Sequence, residues 1–148
     1  MKSHIIDSNL TYSIRKKVLW PHIKNGDYSL PIDKNIDTFH LGVFLNEKII
    51  SIGTFIKENN SKFKSKKQYR LRAMATDQKY RKMGAGKNLF LKGISILKKR
   101  EIDLLWCDAR LIAIPFYKSL NMLSLNETYY IPNIGPHKTM YLYLNLNT

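Results

Sequence analysis

Cysteine is almost absent from this chain. Cys107 stands alone, so neither an internal disulfide nor a multi-thiolate zinc site can form. A chain this poor in cysteine reads as a resident of a reducing, cytoplasmic compartment. Long apolar runs are missing too. No stretch approaches the roughly 20 residues of a membrane span, and the opening "MKSHIIDSNLTYSIRKKV" holds no apolar segment long enough for a signal peptide. Acidic residues are scarce: 11 Asp plus Glu stand against 25 Lys plus Arg, a formal charge of +14. Such an excess favours anionic partners, a polyphosphate cofactor or nucleic acid, as well as plain solubility. Repeats and low-complexity linkers are also lacking. What is there is a chain of 148 residues, 44% hydrophobic, which fits a single domain over 1–148 with its own core.

Periodicity sets out the elements. Leu10, Ile14 and Val18 recur at helical spacing ahead of Pro21, predicting a helix over about 9–20. Residues 21–38 read mainly as loop. Phe39 to Glu58 forms two β-rich runs around Asn46-Glu47, a hairpin. "KENNSKFKSKKQYR", Lys57 to Arg70, reads as a solvated basic loop. Tyr69 to Thr76 alternates as a strand. Leu89, Phe90, Ile94 and Leu97 line one face of a helix ending near Arg100, whose last-turn cations suit the helix dipole. Ile102 to Asp108 reads as a strand buried on both faces, giving a strand–helix–strand parallel crossover. A short helix over 112–120, with Pro115 in its first turn, precedes two strands around "PNIGP".

The stretch between the Tyr69–Thr76 strand and the helix is "RKMGAGK", Arg81 to Lys87. It is not a P-loop: Asn88 follows Gly86-Lys87 where Ser or Thr would bind magnesium, and no glycine stands five residues before Gly86. It is not a dinucleotide fingerprint either, because Leu89 occupies the third glycine position. Two readings of the loop itself stay open. Exposed amides at a helix start, reached closely through glycines, make an anion cradle. The same glycines also serve an ordinary turn.

Two blocks carry a family resemblance. Arg81-Lys82-Met83-Gly84-Ala85-Gly86 matches (Arg/Gln)-x-x-Gly-x-(Gly/Ala), and "ARLIAIPFYKSLNM" matches Ala-x-x-x-Ala-x-x-Phe-Tyr-x-x-x-Gly-Phe through Ala109, Ala113, Phe116 and Tyr117. In this order, and on these elements, the chain resembles the GNAT N-acetyltransferase superfamily from about residue 5 to 145. Two positions depart from the pattern. Asn121-Met122 replaces Gly-Phe, and Asp108 stands where many members carry an Asn that donates to the pantetheine arm.

The resemblance implies an α+β fold: a mixed, mostly antiparallel sheet with a central parallel strand pair and helices on both faces. It implies transfer of acetyl from acetyl-CoA directly to a primary amine of a small molecule or protein, without a metal. Carried over by position, the amides of Met83, Gly84, Ala85, Gly86 and Lys87 hold the pyrophosphate, with Arg81 and Lys82 adding charge. Met74, Ala75 and Thr76 pair with the pantetheine, and a backbone N–H near Met74 or Ala75 polarises the thioester carbonyl. Tyr117 is the general acid for the departing thiolate. The base is open among Glu127, His137 and water. Asp77 lies nearer the cofactor loop. Arg70 and Arg72 read equally as acceptor-pocket cations or as edge cations, Cys107 as buried packing, and Trp20 and Trp106 as core.

The competing reading is a non-catalytic module, a CoA sensor or a nucleic-acid binder using the same loop. No helix-turn-helix or aromatic-rich motif supports nucleic acid, which ranks lower. Tyr129, Tyr130, Tyr141 and Tyr143 leave open whether the last strands pair as one hairpin or with a second copy in a homodimer. The acceptor amine is not legible.

Overall fold

Residues 1–24 and 26–144 are described by the computed structural model of this chain. Asn145, the last residue of the segment read as the final strands, lies outside them. The strands are β1 (Lys2–Ile6), β2 (Phe39–Leu45), β3 (Lys48–Lys57), β4 (Gln68–Thr76), β5 (Leu104–Arg110), β6 (Leu123–Ile131) and β7 (Gly135–Tyr143). The α-helices are α1 (Tyr12–Ile14), α2 (Ala85–Lys99) and α3 (Ile114–Ser119). The strands form one seven-stranded sheet in the order β1-β2-β3-β4-β5-β7-β6. It is mixed and mostly antiparallel, with β4 and β5 as its parallel pair, as the resemblance implied. The chain makes two compact units, one of Met1–Lys57 with Leu71–Ile96, the other of Glu58–Arg70 with Leu97 onward.

In the first unit the hairpin forms where the sequence places it. Asn46 and Glu47 have φ of 49° and 71°, the left-handed pair that matches the twist of the strands it joins. β2 and β3 are buried along most of their length, with Leu41, Val43, Ile50, Ile52 and Phe55 fully enclosed. α2 packs on β3 through Gly93, where a Cβ would lie 2.3 Å from Phe55 Cζ. Any side chain there would force helix and strand apart.

The N-terminal helix is not the regular one expected over 9–20. It runs through a 3-10 turn (Ser8–Thr11), α1 and a π turn (Arg15–Leu19). The widened turn coincides with Arg15, which is fully buried. Its guanidinium meets Asp33 bidentately at 2.7 and 2.9 Å, and also donates to Tyr28 O at 2.8 Å and Thr54 Oγ1 at 2.9 Å. His40 completes the network. Its Nε2 donates to the Asp33 carbonyl at 2.9 Å, so Nδ1 accepts from the Thr54 hydroxyl at 2.8 Å. β1 was not expected. Only Ile6 of its five residues is buried, so it carries no alternating pattern.

In the second unit the opening of β4 runs parallel to β5, with Gln68 opposite Leu104 and Arg70 opposite Trp106. β5 starts two residues later than expected and continues through Arg110. β7 pairs antiparallel with both β5 and β6, so the final strands form one hairpin, turned by Asn133 (φ 66°) and Gly135 (φ 117°). Leu104, Leu105 and Cys107 of β5 and Met140 of β7 are buried in this unit. Pro115 sits in the first turn of α3, as expected.

Candidate active site

In the first unit, β4 breaks its own pattern before it reaches the glycine loop. Ala73 has φ of 52°, a conformation that costs a residue with a Cβ energy and interrupts strand alternation. The three residues after it, Met74, Ala75 and Thr76, finish the strand. On the β3 side Ser51 Oγ donates to Ala75 O at 3.2 Å and meets Thr76 Oγ1 at 2.9 Å, while Asp77 N–H bonds Ile50 O at 2.8 Å.

Asp77 then caps a 3-10 turn over Gln78–Tyr80. Its Oδ1 accepts from Lys79 N at 3.0 Å and its Oδ2 from Lys17 Nζ at 3.2 Å. The Lys79 amide and Lys17 hold this carboxyl below the usual carboxylate range. With both oxygens engaged, Asp77 shapes the loop and is not placed to accept a substrate proton.

Lys82 (φ 64°) and Gly84 (φ 85°) turn the chain into α2. Arg81, Lys82, Met83 and Gly84 are exposed, and nothing lies within 4 Å of a Cβ built on Gly84. At this end of the helix Asn88 N–H bonds Gly84 O at 2.9 Å, so the amides of Ala85, Gly86 and Lys87 precede the ladder. The first turn of α2 carries no acid. Helix start and cation cluster therefore combine into one electropositive loop.

In the second unit Tyr117 sits on α3, buried, its ring 5.2 Å from Phe116 and edge-on to it. Burial, and then neighbouring Cys107, push its phenol well above the ordinary value, so it keeps its proton and can act as a donor. Cys107 is buried as packing, and burial likewise raises its thiol. α3 ends as a left-handed cap at Asn121 (φ 70°), with Met122 N–H on Tyr117 O at 3.1 Å and Met122 buried. Asn-Met thus does the structural work of Gly-Phe.

Arg70 is tied to Asp108 at 2.7 Å and Glu58 at 3.3 Å, and stacks 5.0 Å over Trp106. Asp108 also accepts the Tyr129 hydroxyl, which lies 3.2 Å from Thr139 Oγ1. Burial, and then Asp108, raise the Tyr129 phenol. Glu127 is exposed and paired with Lys62 at 3.5 Å. His137 is buried and donates from Nδ1 to Gly135 O at 2.7 Å, which leaves Nε2 as the lone-pair nitrogen. Trp106 is core, with its indole N–H on Glu58 O at 2.9 Å; Trp20 is only partly buried.

With this geometry in view, a family model described as the acetyltransferase (GNAT) family matches residues 11–122. The chain belongs to the GNAT acetyltransferase family. A Bacillus subtilis (strain 168) GNAT relative, the uncharacterized N-acetyltransferase YitI, is 35% identical over 131 residues, covering 88% of each chain. Two solved structures share the GNAT fold at low identity. An aminoglycoside 6'-N-acetyltransferase complexed with coenzyme A superposes with a TM-score of 0.81 at 10% identity, over 100% of this chain and 99% of that one. The ribosomal-protein-S18-alanine N-acetyltransferase from Escherichia coli gives 0.76 at 18% identity, over 99% and 96%.

Sequence reasoning missed two features here. The left-handed backbone at Ala73 has no signal, since alanine is not a turn residue. The Arg70–Asp108–Tyr129 chain joins three strands far apart in sequence, and nothing local announces it.

Proposed function

We propose that this GNAT chain, acting as one domain, is an acetyl-CoA-dependent N-acetyltransferase for a primary amine. The observation that carries the reading is the electropositive start of α2, opened by Gly84 at positive φ directly after β4. The family supplies the cofactor class. Amides and cations from Arg81 to Lys87 bind the pyrophosphate of acetyl-CoA. Met74, Ala75 and Thr76, beyond the left-handed residue Ala73, pair with its pantetheine arm, and one of their backbone N–H groups meets the thioester oxygen as charge develops there. Such a donor contributes about 3–4 kcal/mol.

The amine nitrogen attacks the thioester carbon, the carbon–sulfur bond breaks, and the nitrogen gives up one proton while the sulfur gains one. Tyr117 donates to the sulfur: against a free thiol pKa of about 8.5 and an ordinary phenol of about 10 the transfer is uphill, and desolvation of the departing thiolate, which raises its proton affinity as burial raises that of the phenol, narrows the gap. His137, its tautomer set by Gly135 O, is the side chain best arranged to accept the amine's proton at Nε2. Glu127, exposed and paired, is less suited.

Titration calorimetry with acetyl-CoA tests the cofactor, with micromolar binding expected; no heat at low salt refutes it. A screen of amines for thiol release from acetyl-CoA then tests the chemistry.

A further inference from the structure

A second electropositive surface lies in the second unit, around the entry to β5. The stretch Glu58–Arg70 is basic in sequence with its lysines exposed, as expected of a solvated loop, and it is also internally built. Gln68, buried, accepts from Asn60 N–H at 2.8 Å and donates to Asn60 O at 3.2 Å and Ser65 O at 2.7 Å. Asn59 Nδ2 donates to Lys66 O at 3.2 Å. Phe63 anchors the loop, buried against Leu104 and Trp106 and 5.1 Å from Tyr141. A merely solvated loop needs none of this.

The loop is also joined to the end of α2. Ser65 Oγ donates to Asp103 Oδ2 at 3.0 Å, and Asp103 N–H bonds Lys67 O at 2.9 Å. Arg100 donates to Tyr69 OH at 3.0 Å. These bonds tie the loop that carries exposed Lys64, Lys66 and Lys67 to the segment at the end of α2 that carries exposed Lys98, Lys99 and Arg100. Among the described residues none of those five lysines joins an ion pair. The acids at this end are Glu101 and Asp103, and Asp103 is engaged by Ser65. Within this unit the cluster lies at the entry of β5, whereas Asp108 lies near its exit and Tyr117 follows it on α3.

We infer that this cluster is a docking surface for a nucleic-acid backbone. A row of cations on a prefolded loop loses little entropy on meeting closely spaced phosphates, and each phosphate neutralised releases counterions. A bilayer is the poorer fit. Among the described residues no large hydrophobic between 58 and 70 or 97 and 103 is exposed, so nothing is available to insert.

The test is fluorescence anisotropy of a labelled RNA hairpin across a salt series. The full chain is compared with the Lys64→Gln/Lys66→Gln/Lys67→Gln variant and with a charge-matched control, Lys16→Gln/Lys34→Gln/Lys92→Gln, whose lysines are exposed in the first unit. Wild type is expected to bind with a steep salt dependence. The loop variant should weaken binding at least about tenfold and flatten the log–log slope by about 2 to 3, as for three lost phosphate contacts; the control should change it far less. Equal loss in both variants means net charge alone and overturns the inference, as does the absence of binding. Loop-dependent capture by phosphatidylserine vesicles in place of RNA also overturns it. Single Lys64→Gln and Lys66→Gln variants serve if the triple one unfolds. Calorimetry with acetyl-CoA should be unchanged throughout, so this inference and the acetyl-CoA reading fail separately.

Discussion

Arg70 Nη2 and Asp108 Oδ2 meet at 2.7 Å across the parallel strand pair, and the same carboxylate accepts the Tyr129 hydroxyl on β6. The aspartate that departs from the family pattern is thus one link of a chain through three strands. It also decides the open question about Arg70, whose guanidinium is committed to Asp108 and Glu58. Asp108→Asn keeps an acceptor for Tyr129 but removes the charge facing Arg70. A loss of about 1–3 kcal/mol is expected in urea unfolding; unchanged stability would show the pair to be inert.

Arg15 and Asp33 form the most deeply buried ion pair among the described residues, with side chains 0% and 1% exposed. Arg15→Ala strands a buried carboxylate and should cost about 3–5 kcal/mol, measured by denaturant melts. Arg15→Met, which restores volume without charge, should lose as much while Asp33 remains, and recover part of it in the double variant with Asp33→Leu.

The same pair sets an acid limit. Burial would raise the Asp33 pKa, but the Arg15 and Leu30 hydrogen bonds outweigh it and hold it below its ordinary 3.8; Asp77 is lowered as well. A depressed folded-state pKa gives stability that is complete above the unfolded value and vanishes as pH falls through the folded one. Thermal midpoints should therefore hold down to about pH 5 and fall steeply below about pH 4. Asp33→Asn should flatten that fall, and a parallel fall in the variant would assign it elsewhere.

Gly84→Ala places a Cβ at φ 85°. Open space surrounds the site, so the cost is conformational, about 1–2 kcal/mol. Relaxing the loop also moves the amides that follow, and acetyl-CoA affinity should fall about tenfold, a loss of about 1.4 kcal/mol. Calorimetry with Gly84→Ala checks this, with Gly26→Ala, also at positive φ, as the control expected to bind normally.

Tyr117→Phe should lower kcat by about 10²-fold and leave the acetyl-CoA Kd within about twofold, since the phenol is assigned a proton and no binding energy. His137→Gln should depress kcat on the same pattern. Wild-type turnover in either variant removes that residue from the mechanism, and for His137 leaves water as the base.

The hairpin at Asn46-Glu47, the glycine loop, α2, the cap at Asn121 and the "PFY" helix were all determined by the sequence itself. Each is a local matter: turn chemistry, periodicity and backbone freedom are set by neighbours a few residues apart. The family followed from two of those local blocks. Tertiary structure alone decided the rest. β1 carries no alternating pattern and forms because β2 offers it an edge. The π turn exists where Arg15 reaches Asp33 and Thr54, and Ala73 takes a left-handed conformation that its own side chain disfavours. Asp108 is neutralised by Arg70, 38 residues away, and a loop that reads as solvated is folded around Gln68 and joined to the end of α2. In every one of these cases a polar group or a strained backbone is satisfied by a distant partner. Sequence shows that such a group exists, but only the fold chooses its partner.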